Sequence, residues 1–141
     1  MKRVFVDTNI VIDLIGNREP FVKDAQRLFT LAERKEIEIC VSVLTLANTY
    51  YALTRTYKVV AAKKYLQLFK ILVKVVPFEE QTIDLALASN FADLEDGFQH
   101  YMALQCQAEL IITRNKKDFK YAQLPTLTAT EFLRHLSSKT K

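Results

Sequence analysis

Glycine is nearly missing from this sequence: Gly16 and Gly97 are the only two in 141 residues. Neither a phosphate-cradling P-loop nor a dinucleotide fingerprint can be built with so few, because each needs several glycines close together, which argues against nucleotide-cofactor chemistry. Cysteine is equally scarce. Cys40 lies in the apolar run Ile39-Cys40-Val41 and Cys106 in an expected helix, far apart in the chain, so both read as buried thiols rather than a bridge. A reducing cytosol is the matching compartment. His100 and His135 join the cysteines in no zinc-ligand spacing, so no structural zinc is implied. No apolar run approaches the ~20 residues of a membrane span. Lys2-Arg3 is followed by only three apolar residues before Asp7, which is no secretory leader. A soluble cytoplasmic protein is expected, without internal repeats or low-complexity linkers.

What is present fits one domain, residues 1–141. Hydrophobic residues make up 50% of the chain, enough to bury a core without staples. Twenty basic residues against sixteen acidic ones give a formal charge of +4, an excess that permits a nucleic-acid partner without demanding one. The organising stretch is Val4-Phe5-Val6-Asp7-Thr8-Asn9. Its apolar run lacks alternation, as in a parallel strand covered on both faces, and Asp7 ends it where open α/β sheets bind ligands. Thr8 and Asn9 are suitable caps for a helix starting near Ile10. The plain structural alternative is that Asp7 is itself only a cap.

Strand and helix then alternate. Pro20 can seat a helix whose apolar face runs from Phe21 to Ala32; Ile37 to Val43 read as a second strand, followed by helices over 44–56, capped by Ser42 or Thr45, and over 59–72. Val73 to Phe78 form a third strand, 81–90 a helix, and Asp93 to Leu104 a helix with an acidic start. Helical spacing puts Asp93, Asp96 and His100 on one side of it, and the costly Gly97 suggests a close approach. Leu110 to Thr113 make a fourth strand, Arg114 to Phe119 a polar loop, and Pro125 to Leu127 a last short strand. A helix capped by Thr130 follows, with a frayed basic tail over 137–141. Tyr50 and Tyr51 are expected in the core, with base stacking the lesser alternative.

If the sheet is parallel, Asp7, Asn9, Asn48, Asp93, Asp96, Asn115 and Asp118 share one polar edge. Crowded carboxylates repel unless protonated or bound to a cation, and an all-oxygen donor set suits Mg²⁺ or Mn²⁺. Such an ion can activate water and neutralise a phosphodiester, the logic of metal-dependent nucleases. Scattered surface acids and caps are the competing explanation.

The Val-Asp-Thr-Asn opening, the Ser42 to Tyr51 helix start, Asp93-Leu-Glu-Asp96 with Gln99, and Ile112-Thr113-Arg114-Asn115-Lys-Lys-Asp118-Phe119 together resemble a PIN domain, more narrowly the VapC-type toxin branch. The resemblance spans nearly the whole chain. It implies a three-layer α/β/α fold with a central parallel sheet and a Mg²⁺- or Mn²⁺-dependent endoribonuclease that cleaves single-stranded or structured RNA by metal-activated water. It also implies a homodimer and a small antitoxin partner. Asp7 matches the family's first metal-binding acid and Asp96 its third. The second falls at Asn48 and the fourth at Asn115, with Asp118 or Asp93 as the compensating carboxylates. Asn9, Thr113, Arg114, Lys116 and Lys117 are the expected substrate contacts. Amides at two acid positions keep open an alternative, a PIN-like module that binds RNA or protein with little or no catalysis. An aspartate phosphatase is disfavoured because Asn9 stands where its second acid would be.

Overall fold

The computed structural model describes residues 1–139. Its five strands are all parallel, in the order β3-β2-β1-β4-β5: β1 is Lys2–Val6, β2 Ile37–Ser42, β3 Lys74–Val76, β4 Leu110–Ile112 and β5 Thr126–Leu127. Seven helices occur among the described residues: α1 Thr8–Ile15, α2 Val22–Glu33, α3 Val43–Leu53, α4 Val59–Lys70, α5 Glu80–Leu87, α6 Leu94–Gln105 and α7 Ala129–Lys139. None is long and apolar enough to cross a membrane.

Both faces of the sheet are covered, which explains why its strands are apolar without alternation. Val4, Val6, Ile39, Val41, Leu110 and Ile112 pack on one face against α1, α2, α4 and α7. Phe5, Cys40 and Ile111 point the other way, onto Met102 and Ala103 of α6 and onto Phe119. The result is the expected three-layer α/β/α arrangement. From β1 the chain first builds outward through β2 and β3, then returns to place β4 on the opposite side of β1. The gap between β1 and β4 at their carboxyl ends is therefore the topological switch point, where such sheets bind ligands. It is closed at its base by the Asp7 N–H donating to the Ile112 carbonyl at 2.9 Å.

Several boundaries differ from those read off the sequence. Asp7, not Thr8 or Asn9, caps α1, because its carboxylate accepts the Thr8 N–H at 2.8 Å. Pro20 sits in the turn before α2, which begins at Val22. Strand β2 ends at Ser42 because the Ser42 hydroxyl accepts the Thr45 N–H at 3.1 Å and starts α3 one residue later. Thr128, not Thr130, opens α7: its hydroxyl accepts the Glu131 N–H at 3.1 Å while Glu131 accepts the Thr128 N–H at 2.9 Å. This reciprocal capping box was legible as Thr-x-x-Glu. Helix α7 continues through Lys139, past the expected fraying point at Ser137; residues 140 and 141 of that tail lie outside the described residues.

Gly16 is required where it stands, since a Cβ there would meet the Ile12 carbonyl at 2.7 Å. Gly97 is different. A Cβ on it would lie 3.4 Å from the Ala86 Cβ of α5 and 3.5 Å from the Phe91 Cβ in the segment between α5 and α6, ordinary contact distances. Alanine fits, and it removes the cost of glycine in a helix, about 1 kcal/mol. Gly97→Ala is thus expected to raise stability by roughly 0.5–1 kcal/mol in urea unfolding, while Gly97→Leu lowers it.

Candidate active site

Asp7 is the anchor of the switch point. It is 8% exposed, and each carboxylate oxygen accepts two hydrogen bonds. Oδ1 takes the Thr8 N–H at 2.8 Å and the Gln99 amide at 3.4 Å; Oδ2 takes the Thr113 hydroxyl at 2.8 Å and the Asn9 amide at 3.4 Å. The donors come from α1, α6 and the end of β4, so the carboxylate is fixed by three separate parts of the chain. Burial pushes its pKa up, and the Thr113, Thr8 and Gln99 donors pull against that rise.

Around Asp7 stands a set of polar side chains whose contact with one another sequence reasoning did not assign. Gln99, 1% exposed on α6, also donates to the hydroxyls of Thr8 and Thr45 at 3.2 Å each. Those two hydroxyls share a hydrogen bond of 2.9 Å, which ties α1 to α3. Helical spacing contained the clue to Gln99, since it follows Asp96 by three residues. The sequence marks Thr45 only as a candidate helix cap; its place beside Asp7 is set by the packing of three helices.

The acidic side chains gather opposite. Asp96 is half-buried, and its pKa is pushed up to about 7, first by burial and then by Asp93, Asp7, Asp118 and Glu95. Five carboxylates thus share one field. Asp93 does not project beside Asp96 as an equal member of the α6 face; it is the exposed N-cap, accepting the N–H groups of Glu95 at 2.8 Å and Asp96 at 3.2 Å. Glu95 was missed. Its Oε1 accepts the Asn48 amide at 2.7 Å, so a carboxylate from α6 stands against the α3 position where an amide replaces the expected acid. Burial raises the Glu95 pKa, with Asp93 and Asp7 adding to it and Asn48 opposing. Asp118 and Asn115 are exposed in the short 3₁₀ helix after β4 and at its start, and the Asn115 N–H donates to the Thr113 hydroxyl at 3.1 Å.

Other expected site residues point elsewhere. Arg114 forms a two-pronged ion pair with Asp13, Nε to Oδ2 at 2.7 Å and Nη2 to Oδ1 at 3.2 Å, and its guanidinium lies 4.0 Å over the Phe21 ring. Only its backbone N–H turns to the site, reaching Asn9 Oδ1 at 3.5 Å. Lys116 pairs with Glu131 at 3.0 Å, and Lys117 is exposed. His100 is fully buried rather than beside Asp96: its Nε2 accepts the Gln123 N–H at 3.0 Å, and its ring packs on Phe91 and Tyr101. Tyr51 is 66% exposed, edge-on to Tyr50, and so lies outside the core. A cleft of about 390 Å³ lined by Ile10, Asp13, Phe21 and Arg114 includes none of the carboxylates gathered around Asp7.

Among the described residues, no three acidic, histidine or cysteine side chains form a ready-made metal cage. The donors nevertheless suit a hard cation that keeps most of its waters and takes one or two carboxylates, as Mg²⁺ does. Asp7 and Asp96 are the pair that could hold it.

The family model of the PIN domain matches residues 3–117. Among solved structures, the chain is similar to FitAB bound to a DNA fragment, at 17% identity with a TM-score of 0.70 over 89% of this chain and 94% of that one. It is similar to DNA-bound VapBC of Salmonella typhimurium, at 18% identity and a TM-score of 0.69 over 92% and 99% of the two chains. A third likeness is to VapC20 of Mycobacterium tuberculosis, a toxin that cleaves the sarcin–ricin loop, at 17% identity and a TM-score of 0.61 over 77% and 86%. At such identities what is shared is the fold. No curated protein matches the chain significantly.

Proposed function

Since the chain belongs to the PIN domain family, we propose that it is a Mg²⁺- or Mn²⁺-dependent endoribonuclease, the toxin of a toxin–antitoxin pair acting in the cytoplasm. The observation that carries this reading is the carboxylate of Asp7, buried at the switch point, held by four donors and faced by Asp96 in a field of like charge. Asp7 and Asp96 would hold the ion, with Asp118, Glu95 and Asp93 adding negative charge around it. When bound, that ion supplies charge neutralisation at a phosphodiester and activation of the attacking water.

The chain's own residues do the positioning. Thr113, Gln99 and the Thr8 N–H aim Asp7 and oppose the rise that burial imposes on its pKa, while Asn48 keeps Glu95 turned toward the edge. Asn9 and Asn115 line the approach, and Lys117 offers a free-standing cation to the RNA backbone, which adds affinity without sequence information. Arg114 is assigned a structural role instead. An antitoxin partner is supported by the VapBC and FitAB likenesses. A protein-binding surface is supported by Val60 and Leu68 of α4 and by Ile71 just after it, which are 81%, 57% and 80% exposed.

The test is a cleavage assay on a mixed pool of single-stranded and hairpin RNAs. Fragments with 5′-phosphate and 3′-hydroxyl ends should accumulate with Mn²⁺ and vanish with chelator, and Asp7→Asn should cut at least ~100-fold more slowly. Equal cleavage by Asp7→Asn would assign the activity to another protein. RNA binding without any cleavage would favour the binding-module alternative.

A further inference from the structure

Helix α3 leads away from the carboxylate edge. Its Asn48 donates to Glu95 at 2.7 Å, and Tyr51, three residues on, lies on the same helical face. Tyr51 is 66% exposed. The Tyr50 ring stands beside it, centroids 5.6 Å and planes 68° apart, so a neighbour steadies the Tyr51 ring while most of its surface is open. Arg55 follows in the turn that ends the helix, also exposed. The surroundings carry one sign of charge. Between Glu38 and Glu79 the chain has no acidic residue and six basic ones, Arg55, Lys58, Lys63, Lys64, Lys70 and Lys74, all exposed, so this stretch is strongly positive while the rest of the chain is net negative. Beside β4 two cations are already committed, Arg114 to Asp13 and Lys116 to Glu131. Arg55 and Lys58 form no ion pair among the described residues.

We propose that this face of α3 is the track along which a single strand of RNA leaves the carboxylate edge, with Tyr51 stacking on an unpaired base and Arg55 holding a neighbouring phosphate. The ligand class rests on the ribonuclease reading; the place of binding rests on the exposed ring and the charge around it. An open aromatic ring on a surface of positive charge is complementary to both parts of a nucleotide, since the ring takes the π face of the base and the cations take phosphates. The gathered carboxylates repel phosphates, so a strand lying across them is retained by what stands next to the edge, and the acid-free flank is the one that α3 opens. Only a single strand qualifies, because the bases of a duplex are already stacked on one another. A protein partner is the less suitable occupant. The exposed side chains nearest to Tyr51 along this face are Ala47 and Arg55, not the aliphatic and aromatic cluster on which a protein interface centres. Stacking of this kind accepts any base, so Tyr51 adds affinity and strand preference rather than sequence choice.

The chain has no tryptophan, so Tyr51→Trp gives the full-length protein a single indole at this point. A short oligouridylate should quench its fluorescence, and a blunt A·U duplex of the same length should not. In parallel, wild type, Tyr51→Phe, Tyr51→Ala and Arg55→Ala are titrated into fluorescein-labelled oligouridylate with Mn²⁺, the anisotropy being read by rapid mixing, ahead of turnover. Tyr51→Phe should bind as wild type does, because the stack needs the ring and not the hydroxyl. Tyr51→Ala should bind about 5- to 150-fold more weakly with an unchanged melting temperature. Arg55→Ala should flatten the slope of log affinity against log salt by about 0.7, the loss of one phosphate contact. Equal affinity of wild type and Tyr51→Ala overturns the proposal, as does an indole that the strand leaves bright or that the duplex quenches equally. So does a Tyr51→Ala that changes the sedimenting species and not the RNA affinity, which gives the face to a second copy of the chain. Failure of the ribonuclease reading looks different. Tyr51-dependent binding with no cleavage in Mn²⁺ leaves the track standing and removes the enzyme, whereas cleavage with no dependence of binding on Tyr51 does the reverse; a wild type that binds no single strand removes both.

Discussion

Asp96→Asn should lose the response of the folded chain to Mn²⁺ and, in the same protein, unfold at a higher temperature than wild type when the metal is absent. The first effect follows from removing one of the two carboxylates assigned to the ion. A ligand at ~100 times its dissociation constant adds about 2.7 kcal/mol to the folded state, roughly 10 °C in melting temperature for a chain of this size. Wild type should show that gain and Asp96→Asn little of it. The second effect follows from the field at the site. Asp96 is held at about 7 in the folded chain, first by burial and then by four neighbouring carboxylates, against an ordinary value of 3.8. Because the folded pKa is raised, the folded state keeps a proton that the unfolded state has lost between those two values. Stability therefore falls as pH rises from about 4 through 7, and the whole cost is present above that. The unscreened shift would amount to ~4 kcal/mol; with Asp96 partly open to solvent, about 1–2 kcal/mol is the working figure. The amide avoids that cost, so the melting curves of the two proteins should lie close together at pH 4 and separate progressively up to pH 8, with Asn the more stable. Mn²⁺ should reverse the order at pH 8, and its affinity for wild type should rise with pH as the carboxyl gives up its proton. Matching melting curves at every pH and Mn²⁺ concentration would remove the site's main electrostatic argument.

Arg114→Ala should cost about 2–4 kcal/mol of stability, a loss of roughly 10 °C, because it abandons a buried carboxylate. Asp13 is 1% exposed, and its pKa is already raised by burial and restrained chiefly by the Arg114 guanidinium. Breaking a buried pair from one side is more damaging than removing both partners. The double variant Asp13→Asn with Arg114→Ala should thus melt higher than Arg114→Ala alone, and the coupling between the two positions should exceed ~1 kcal/mol. Arg114→Lys should fall between, since an ammonium keeps the charge but not the two-pronged geometry or the stacking on Phe21. An unchanged melting temperature with weakened RNA binding would return Arg114 to the substrate.

Much of this was readable along the chain. The strand at Val4 to Val6, the alternation of strands and helices, the parallel sheet and the placement of Asp7 at a strand end all follow from local apolar patterning and turn chemistry. These are properties a residue shares with its near neighbours. The candidate edge was legible in outline for the same reason, since parallel strands must present their carboxyl ends together.

What the chain in order could not decide was which distant groups would meet. Arg114 reads as a cation in a polar loop beside a strand end, and a free phosphate contact is a fair inference from that. Only the fold brings Asp13 of α1 up against it and turns the guanidinium away. Asn48 reads as a lost acid until α6 lays Glu95 against it at 2.7 Å. His100 has the helical phase of Asp96, yet the packing of α6 against Phe91 buries it. Cys40 and Cys106 are sixty-six positions apart and share no motif, and only the crossing of β2 and α6 brings them into one apolar cluster. Sequence patterning sets secondary structure and sheet topology because those rest on short-range periodicity. The partner of a charged or reactive side chain is chosen by long-range packing, where burial makes an unpaired group costly and the nearest available partner, wherever it lies in the chain, relieves it.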